Sequence, residues 1–356
     1  MRARRITCRF AVLTVAAISA LNLSAVASTD ASTAATPPNS SSLFSVSRSV
    51  TLATDGAGPF IVGAGNDSIF VEGTFDQFHH QTDTDDLIRI NLSTWRISAA
   101  ARYPNETSVA FGDGALWWAT GQYAFDIPAP DSGRVLFKID PTNLSKEKAF
   151  VLPDRTLLVT VAGTSLWVAT PSMLIRLDPI SGHIVVKVPS SFSPIAMSSS
   201  GEGKYLDVLE SRDSKEYLTN YDAASGRKIM RRLIPGASSG PLATTTRGVW
   251  VNTVNVKSQS TTARYYEGDR LIPSAARRGY PPDISLFSGV GVIWLVDSWG
   301  LKSTECLAPS TGQVQSRGGP LGVYGSFVAY ASHTFVLFDR GLTDYFARVI
   351  PSKSCS

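Results

Sequence analysis

The sequence predicts an all-β fold of repeated four-stranded units closed into a ring, and three observations carry that expectation. A phrase returns along the chain: Gly-Asp-Gly-Ala-Leu-Trp-Trp-Ala-Thr over Gly112 to Thr120, then Ala-Gly-Thr-Ser-Leu-Trp-Val-Ala-Thr over Ala162 to Thr170. Looser copies cover Gly65 to Glu72, Thr246 to Asn252 and Gly289 to Val296. Between the copies lie short apolar runs rich in Val, Ile, Leu and aromatics, bounded by turn residues. Nothing in the chain has the period of a long amphipathic helix. Four-stranded units repeating every forty to fifty residues or so, without helices, describe a β-propeller, in which blades pack face to face around a channel.

One unit shows how each element is read. Leu157 to Val161, Ser165 to Thr170, Leu174 to Asp178 and Ile184 to Val188 are its four strands. Asp178-Pro179-Ile180-Ser181-Gly182 joins the last two: Asp accepts backbone hydrogen bonds, Pro pre-sets φ, and Gly takes the position with φ > 0. Related turns stand at Asp140-Pro141, Asp222 to Gly226 and Ala308 to Gly312. With the aromatic strand as marker, Phe70, Trp117, Trp167, Tyr205, Trp250, Trp294 and Phe327 give seven blades. Tyr205 and Phe327 match poorly and leave six or eight open. The tryptophans are expected in second strands, filling the wedge between blades as core rather than as a cofactor platform. Val46 to Ala53 precedes the first unit, and Tyr345 to Ile350 offers an outer strand for the last blade. Either could complete that blade and remove an exposed edge.

The ends organise the rest. Arg2, Arg4, Arg5 and Arg9, an apolar stretch from Phe10 to about Leu23, and Ala25-Val26-Ala27 form a signal peptide over 1–27. The alternative is an uncleaved anchor. Residues 28–45 are Ser/Thr/Ala/Pro-rich and read as a disordered linker, with the propeller over 46–356. The formal charge of +4 matches the four signal arginines, so the mature chain is close to neutral. No basic stripe remains for nucleic acid, and no second segment is long and apolar enough for a membrane span. The expected product is a secreted monomer. Cys306 and Cys355 survive processing, and in an exported chain an even pair reads as a disulfide.

Leu116 to Thr120, Leu166 to Thr170 and the Asp178 to Gly182 turn resemble the streptogramin-lyase-like and YVTN-type propellers, whose units carry a Leu-Trp-Val-Ala-Asn strand and an Asp-Pro-x-Thr-Gly turn. The resemblance covers most of Thr51 to Pro351 and concerns blade structure. Streptogramin lyases open cyclic depsipeptides with histidines and a glutamate near a magnesium ion in later blades. The later blades here carry no His-x-Glu or Glu-x-His set, so no lyase residue is carried over. A quinone cofactor is disfavoured because His183 and Arg227, not tryptophans, follow Gly182 and Gly226.

Function is therefore sought in loops. The connections from second to third strands share one face with the inter-blade connections, and they vary in length: Gly73 to Asp86, Thr120 to Gly133 and roughly Thr253 to Thr262 are long. The leading expectation is a binding module for a protein, glycan or small-molecule ligand. Its ligand would contact His79, His80, Tyr123, Asp126, Glu210, Arg212 and His333, with Glu210 to Glu216 and His333 placed on that same face. The alternative is a lyase or lactonase-type enzyme with a divalent Mg or Ca ion held by His79, His80, Asp83, Asp85 and Asp86, and His333 as candidate base. That cluster lacks the turn glycine and downstream acid of a calcium loop. His183, in a structural turn, is expected to face away. Nucleophile elbows, phosphate-binding glycine loops and His-Glu-x-x-His are absent from the sequence.

Overall fold

The computed structural model describes residues 44–52, 59–73, 84–104, 106–121, 133–238, 242–255, 260–267, 270–272, 277–280, 284–289, 291–297, 304–318, 326–340, 343–351 and 355. The expected signal peptide and all but the end of the expected linker lie outside them. No α-helix occurs among the described residues.

The strands form seven antiparallel sheets, each a meander running from the channel outward. After β1 (Phe44–Leu52), blade 1 holds β2 (Phe60–Gly65), β3 (Ser68–Gly73), β4 (Thr84–Asn91) and β5 (Arg96–Pro104). Blade 2 holds β6 (Glu106–Gly112), β7 (Ala115–Thr120), β8 (Val135–Ile139) and β9 (Lys146–Val151). Blade 3 holds β10 (Leu158–Ala162), β11 (Ser165–Ala169), β12 (Met173–Leu177) and β13 (Ile184–Pro189). Blade 4 holds β14 (Ser193–Ser200), β15 (Tyr205–Arg212), β16 (Lys215–Asp222) and β17 (Lys228–Ile234).

Blade 5 is irregular. Its inner strand is split into β18 (Ala237–Ser238) and β19 (Ala243–Thr244), both paired to β20 (Val249–Asn255). Its outer strand is split into β22 (Arg270–Leu271) and β23 (Arg277–Tyr280), both paired to β21 (Ser260–Glu267). Blade 6 holds β24 (Ile284–Ser288), β25 (Ile293–Asp297), β26 (Glu305–Leu307) and β27 (Val314–Arg317). Blade 7 takes β28 (Ser326–Tyr330), β29 (His333–Arg340) and β30 (Thr343–Pro351) from the C-terminal end of the chain.

The fourth strand of blade 7 is β1, paired from Phe44↔Pro351 to Leu52↔Asp344. Both candidate closing strands thus share one blade, and Tyr345 to Ile350 is its third strand rather than its outer one. Three C-terminal strands leave one place vacant, and the N-terminal strand fills it. Ring closure hides an edge that would otherwise template pairing with another chain.

Seven buried clusters sit one at each seam between neighbouring blades. The ladder defines a common slot in every second strand, two residues beyond the pair that closes the first turn. Closing pairs such as Gly65↔Ser68, Gly112↔Ala115, Ala162↔Ser165 and Tyr330↔His333 put Phe70, Trp117, Trp167 and Phe335 in that slot. Trp250 and Trp294 occupy it in blades 5 and 6, and each slot ring packs on the following blade. Trp117, Trp167, Trp250 and Trp294 are fully buried, as expected of wedge-filling core. Two markers are corrected. Phe327 lies in the first strand of blade 7, and Tyr205 is itself the closing residue of blade 4. Blade 4 has a four-residue first turn, so its slot holds Asp207.

The first turns crowd where the wedge narrows. A Cβ on Gly203 would lie 2.1 Å from the Gly163 nitrogen of the neighbouring blade. The turns between third and fourth strands follow the expected chemistry: Gly182 and Gly226 take positive φ, and their amides donate 2.8 Å bonds to the carbonyls of Asp178 and Asp222. Blades 1 and 2 place Trp95 (φ 58) and Leu144 (φ 59) at that same position, with the same 2.8 Å bonds to Asn91 and Asp140. Packing compensates the left-handed strain. Leu144 is buried, and Trp95 stacks 5.9 Å from Phe346 of blade 7.

The Cys306–Cys355 disulfide is present, and both residues are buried in the cluster between blades 6 and 7. It ties the C-terminus to the third strand of blade 6.

Candidate functional site

Antiparallel meanders sort the connections by face. First-to-second and third-to-fourth turns emerge at one end of the ring; second-to-third and inter-blade connections emerge at the other. The first end is self-satisfied. The Ser181 amide and hydroxyl donate 2.6 and 2.8 Å bonds to the Asp178 carboxylate, and those of Ser225 donate 2.8 and 2.7 Å bonds to Asp222. These bonds hold both carboxyls below the usual carboxylate range, Asp178 chiefly through the Ser181 amide and Asp222 chiefly through the Ser225 hydroxyl. His183 lies in this turn, as expected.

His333 belongs to this end too. Ala331-Ser332 is the first turn of blade 7, so His333 opens the second strand, away from the face on which it was expected. Contacts of three other first turns confirm the grouping of this end: the Asp67 amide donates to Tyr330 Oη at 3.0 Å, and Gly163 meets Gly203. His333 Nδ1 lies 2.7 Å from the Ala331 carbonyl, which fixes the proton on that nitrogen. Its Nε2 is then the acceptor facing Arg348 Nη1 at 3.4 Å, while Arg348 Nε donates to Ser47 Oγ at 2.8 Å. This chain of contacts spans all three outer strands of the closing blade.

At the opposite end, the expected residues His79, His80, Asp83, Tyr123 and Asp126 lie outside the described residues, as does the Asp85 side chain. The first of these connections closes at the pair Gly73↔Asp86. There Asp86 is buried and accepts a 3.0 Å charged bond from Arg102 Nε on the adjacent strand. Among the described residues no group of three or more His, Cys, Asp or Glu could hold a metal ion.

Glu210 and Arg212 sit at this same end, in blade 4. The segment Glu210 to Glu216 is a tight hairpin, with Asp213 (φ 51) and Ser214 (φ 58) at its tip, a conformation matching strand twist. Glu210 is completely buried on the side facing blade 3. Its carboxylate accepts from Thr219 Oγ1 at 2.7 Å, from Tyr221 Oη at 3.1 Å and from the Arg231 guanidinium. Burial, helped by the Glu210 charge, pushes the Tyr221 phenol up. A buried carboxylate is tolerable only with such saturation.

Arg231 continues outward. Its guanidinium carbon lies 3.4 Å from the centre of the Phe192 ring, which meets Tyr217 edge-on at 5.2 Å. Phe192 stands in the connection from blade 3 to blade 4. Arg212, with half its side chain exposed, lies over the same ring at 5.4 Å and donates to Ser191 Oγ at 3.1 Å. The result is a patch of two arginines and two partly exposed aromatics held from below by Glu210.

Asp207 escaped the sequence reading. Its signal is the absence of an aromatic residue at the slot, legible once blades are aligned on turns instead of tryptophans. The same alignment sets Glu210 where other blades carry Thr120, Thr170 and Thr253, near, at or just past the end of the second strand. Those hydroxyls donate to third-strand carbonyls at 3.0, 3.1 and 3.2 Å.

No family model matches the chain, and neither does any curated protein. Solved structures do match. The β-propeller domain of Swd1 (Cps50) from Myceliophthora thermophila aligns over 85% of this chain and 100% of its own, with TM-score 0.58 and 11% identity. The chain is a seven-bladed β-propeller. Hydrazine synthase from Kuenenia stuttgartiensis aligns over 85% of this propeller and 98% of its own chain (TM-score 0.59, 12% identity). The WD40 domain of Neurospora crassa Pan2 does so over 84% and 91% (TM-score 0.58, 10% identity). At such identities the likeness is one of fold.

Proposed function

We propose that this propeller is a secreted binding module whose partner, a protein, docks on the end carrying the second-to-third and inter-blade connections. The observation that carries the reading is the Phe192–Tyr217–Arg212–Arg231 patch. Arginine and aromatic residues dominate binding energy when held rigidly at a surface, and here Glu210 and ring stacking hold them. The other end of the ring spends its polar groups on its own turns. Export is supported by the 1–27 signal reading and by the Cys306–Cys355 disulfide, which suits an oxidising compartment. The likeness to streptogramin-lyase-like propellers contributes the blade motifs to this reading, without a reaction.

The test is a hydrogen-exchange footprint of the full chain against proteins recovered from its native extracellular fluid. The reading expects protection over 190–192 and 211–217. Protection confined to the turns at 66–67, 179–182 and 223–226 would sink it.

A further inference from the structure

The seam between blades 4 and 5 differs from the others in what fills it. In blades 3 and 5 the slot tryptophan docks the following blade through its indole N–H. Trp167 donates to the Ala223 carbonyl at 3.0 Å and Trp250 to the Pro309 carbonyl at 2.9 Å, each the second residue of the next blade's third-to-fourth turn. Blade 4 puts a carboxyl there. Asp207 is 3% exposed and lies on the same strand face as Leu209, which packs on Val249, Val251 and Tyr266 of blade 5. Its Oδ1 accepts a 2.9 Å bond from Asn220 Nδ2, while its Oδ2 meets no donor among the described residues. Blade 5, across the seam, is the blade with split inner and outer strands.

We propose that Asp207 is a proton latch on this seam: neutral, it lets blades 4 and 5 close, and ionised, it loosens them, so that the ring is tighter in acidic than in neutral medium. A buried carboxylate with an unmet oxygen is costly, whereas the protonated form buries no charge. Among the described side chains, the titratable and charged groups that share this seam are Tyr205, Glu216, Asp222 and Arg232 on blade 4, and Arg264 and Tyr266 on blade 5. None supplies a bond to the Asp207 carboxyl; the neutral Asn220 amide does. Burial pushes Asp207 above its ordinary range and outweighs the lowering by the neutral Ser200 and Asn220 side chains. The sign follows. With the closed-state pKa above the open-state one, closure is fully favoured below the ordinary carboxylate range and weakens as pH rises toward the raised value.

The experiment compares the full chain with Asp207→Asn, which keeps an acceptor for Asn220 and cannot ionise. Amide exchange of β15 and β20, divided by intrinsic rates, is followed from acidic to neutral pH. The expected result is a seam-opening constant that rises with pH by up to about tenfold per unit in the native chain relative to Asp207→Asn. Glu216→Gln, on the same seam, should retain the native slope. Parallel profiles for the native chain and Asp207→Asn would overturn the proposal. Infrared spectroscopy gives a reading that survives if that variant does not fold. The native protein should keep a protonated-carboxyl band at a pH where exposed carboxyls are ionised, and its absence would overturn the latch.

Discussion

Removing the disulfide tests the energetics of the closing region quantitatively. Cys306 and Cys355 are 49 residues apart, and the loop they close contains the three C-terminal strands of blade 7. Cross-linking restricts the unfolded chain, and a loop of that length corresponds to about 4 kcal/mol of lost denatured-state entropy. Spread over an unfolding entropy of about 2.1 cal/mol/K per residue across the propeller, that loss lowers the melting temperature by about 6 °C. The assay is equilibrium urea unfolding of Cys306→Ser/Cys355→Ser, beside the native protein with and without reductant. The variant should match the reduced native protein and show a larger m-value, because its denatured state is more open. A loss below about 1 kcal/mol would refute the chain-entropy argument. So would a loss of that size from Cys306→Ser relative to the reduced native protein, which would assign the effect to packing.

Three further outcomes follow from named contacts. Glu210→Ala leaves Arg231 without its buried partner and should cost about 3–5 kcal/mol in urea unfolding. Trp167→Phe keeps the wedge filled but strands the Ala223 carbonyl, a loss of about 1–3 kcal/mol by the same method. For Asp178 and Asp222, whose carboxyls are held low, the stabilisation is present above the ordinary carboxylate range and lost as pH falls below that range through their lowered values. The pair Asp178→Ala/Asp222→Ala should therefore flatten the acid limb of the melting-temperature profile, and an unchanged limb would contradict the turn assignment.

Most of the fold was legible because it is repeated. Trp117, Trp167, Trp250 and Trp294 mark second strands since a wedge between twisted sheets needs a large ring, and the Asp178–Gly182 turn announces itself through residues that only such a turn favours. What failed did so where the repeat was broken by length. The four-residue turn before Tyr205 shifted the blade 4 slot by two residues, hiding Asp207 behind a nearby aromatic. Blade 1 concealed its turn because Trp95 stands where glycine was the signal, whereas in blade 2 Asp140-Pro141 announced the turn although Leu144 takes the glycine's place. His333 was misplaced because a histidine after a serine says nothing about which end of a strand it occupies; pairing decides that. The patch was only half legible. Glu210 and Arg212 lie close in sequence, but Phe192 and Arg231 join them only through the lateral order of strands and the packing of blade 3 on blade 4.

The most direct measurement is the affinity of a purified partner for three chains: the native propeller, Phe192→Ala/Arg212→Ala, and Ile180→Ser. Ile180 is 79% exposed on a turn at the opposite end of the ring. If the blade 4 patch is the docking surface, the double variant weakens binding by roughly thirtyfold or more, as expected for loss of an anchor worth at least about 2 kcal/mol. Ile180→Ser should bind like the native chain. Native affinity in the double variant, with loss in Ile180→Ser, would place the partner on the wrong end of the ring and contradict the account.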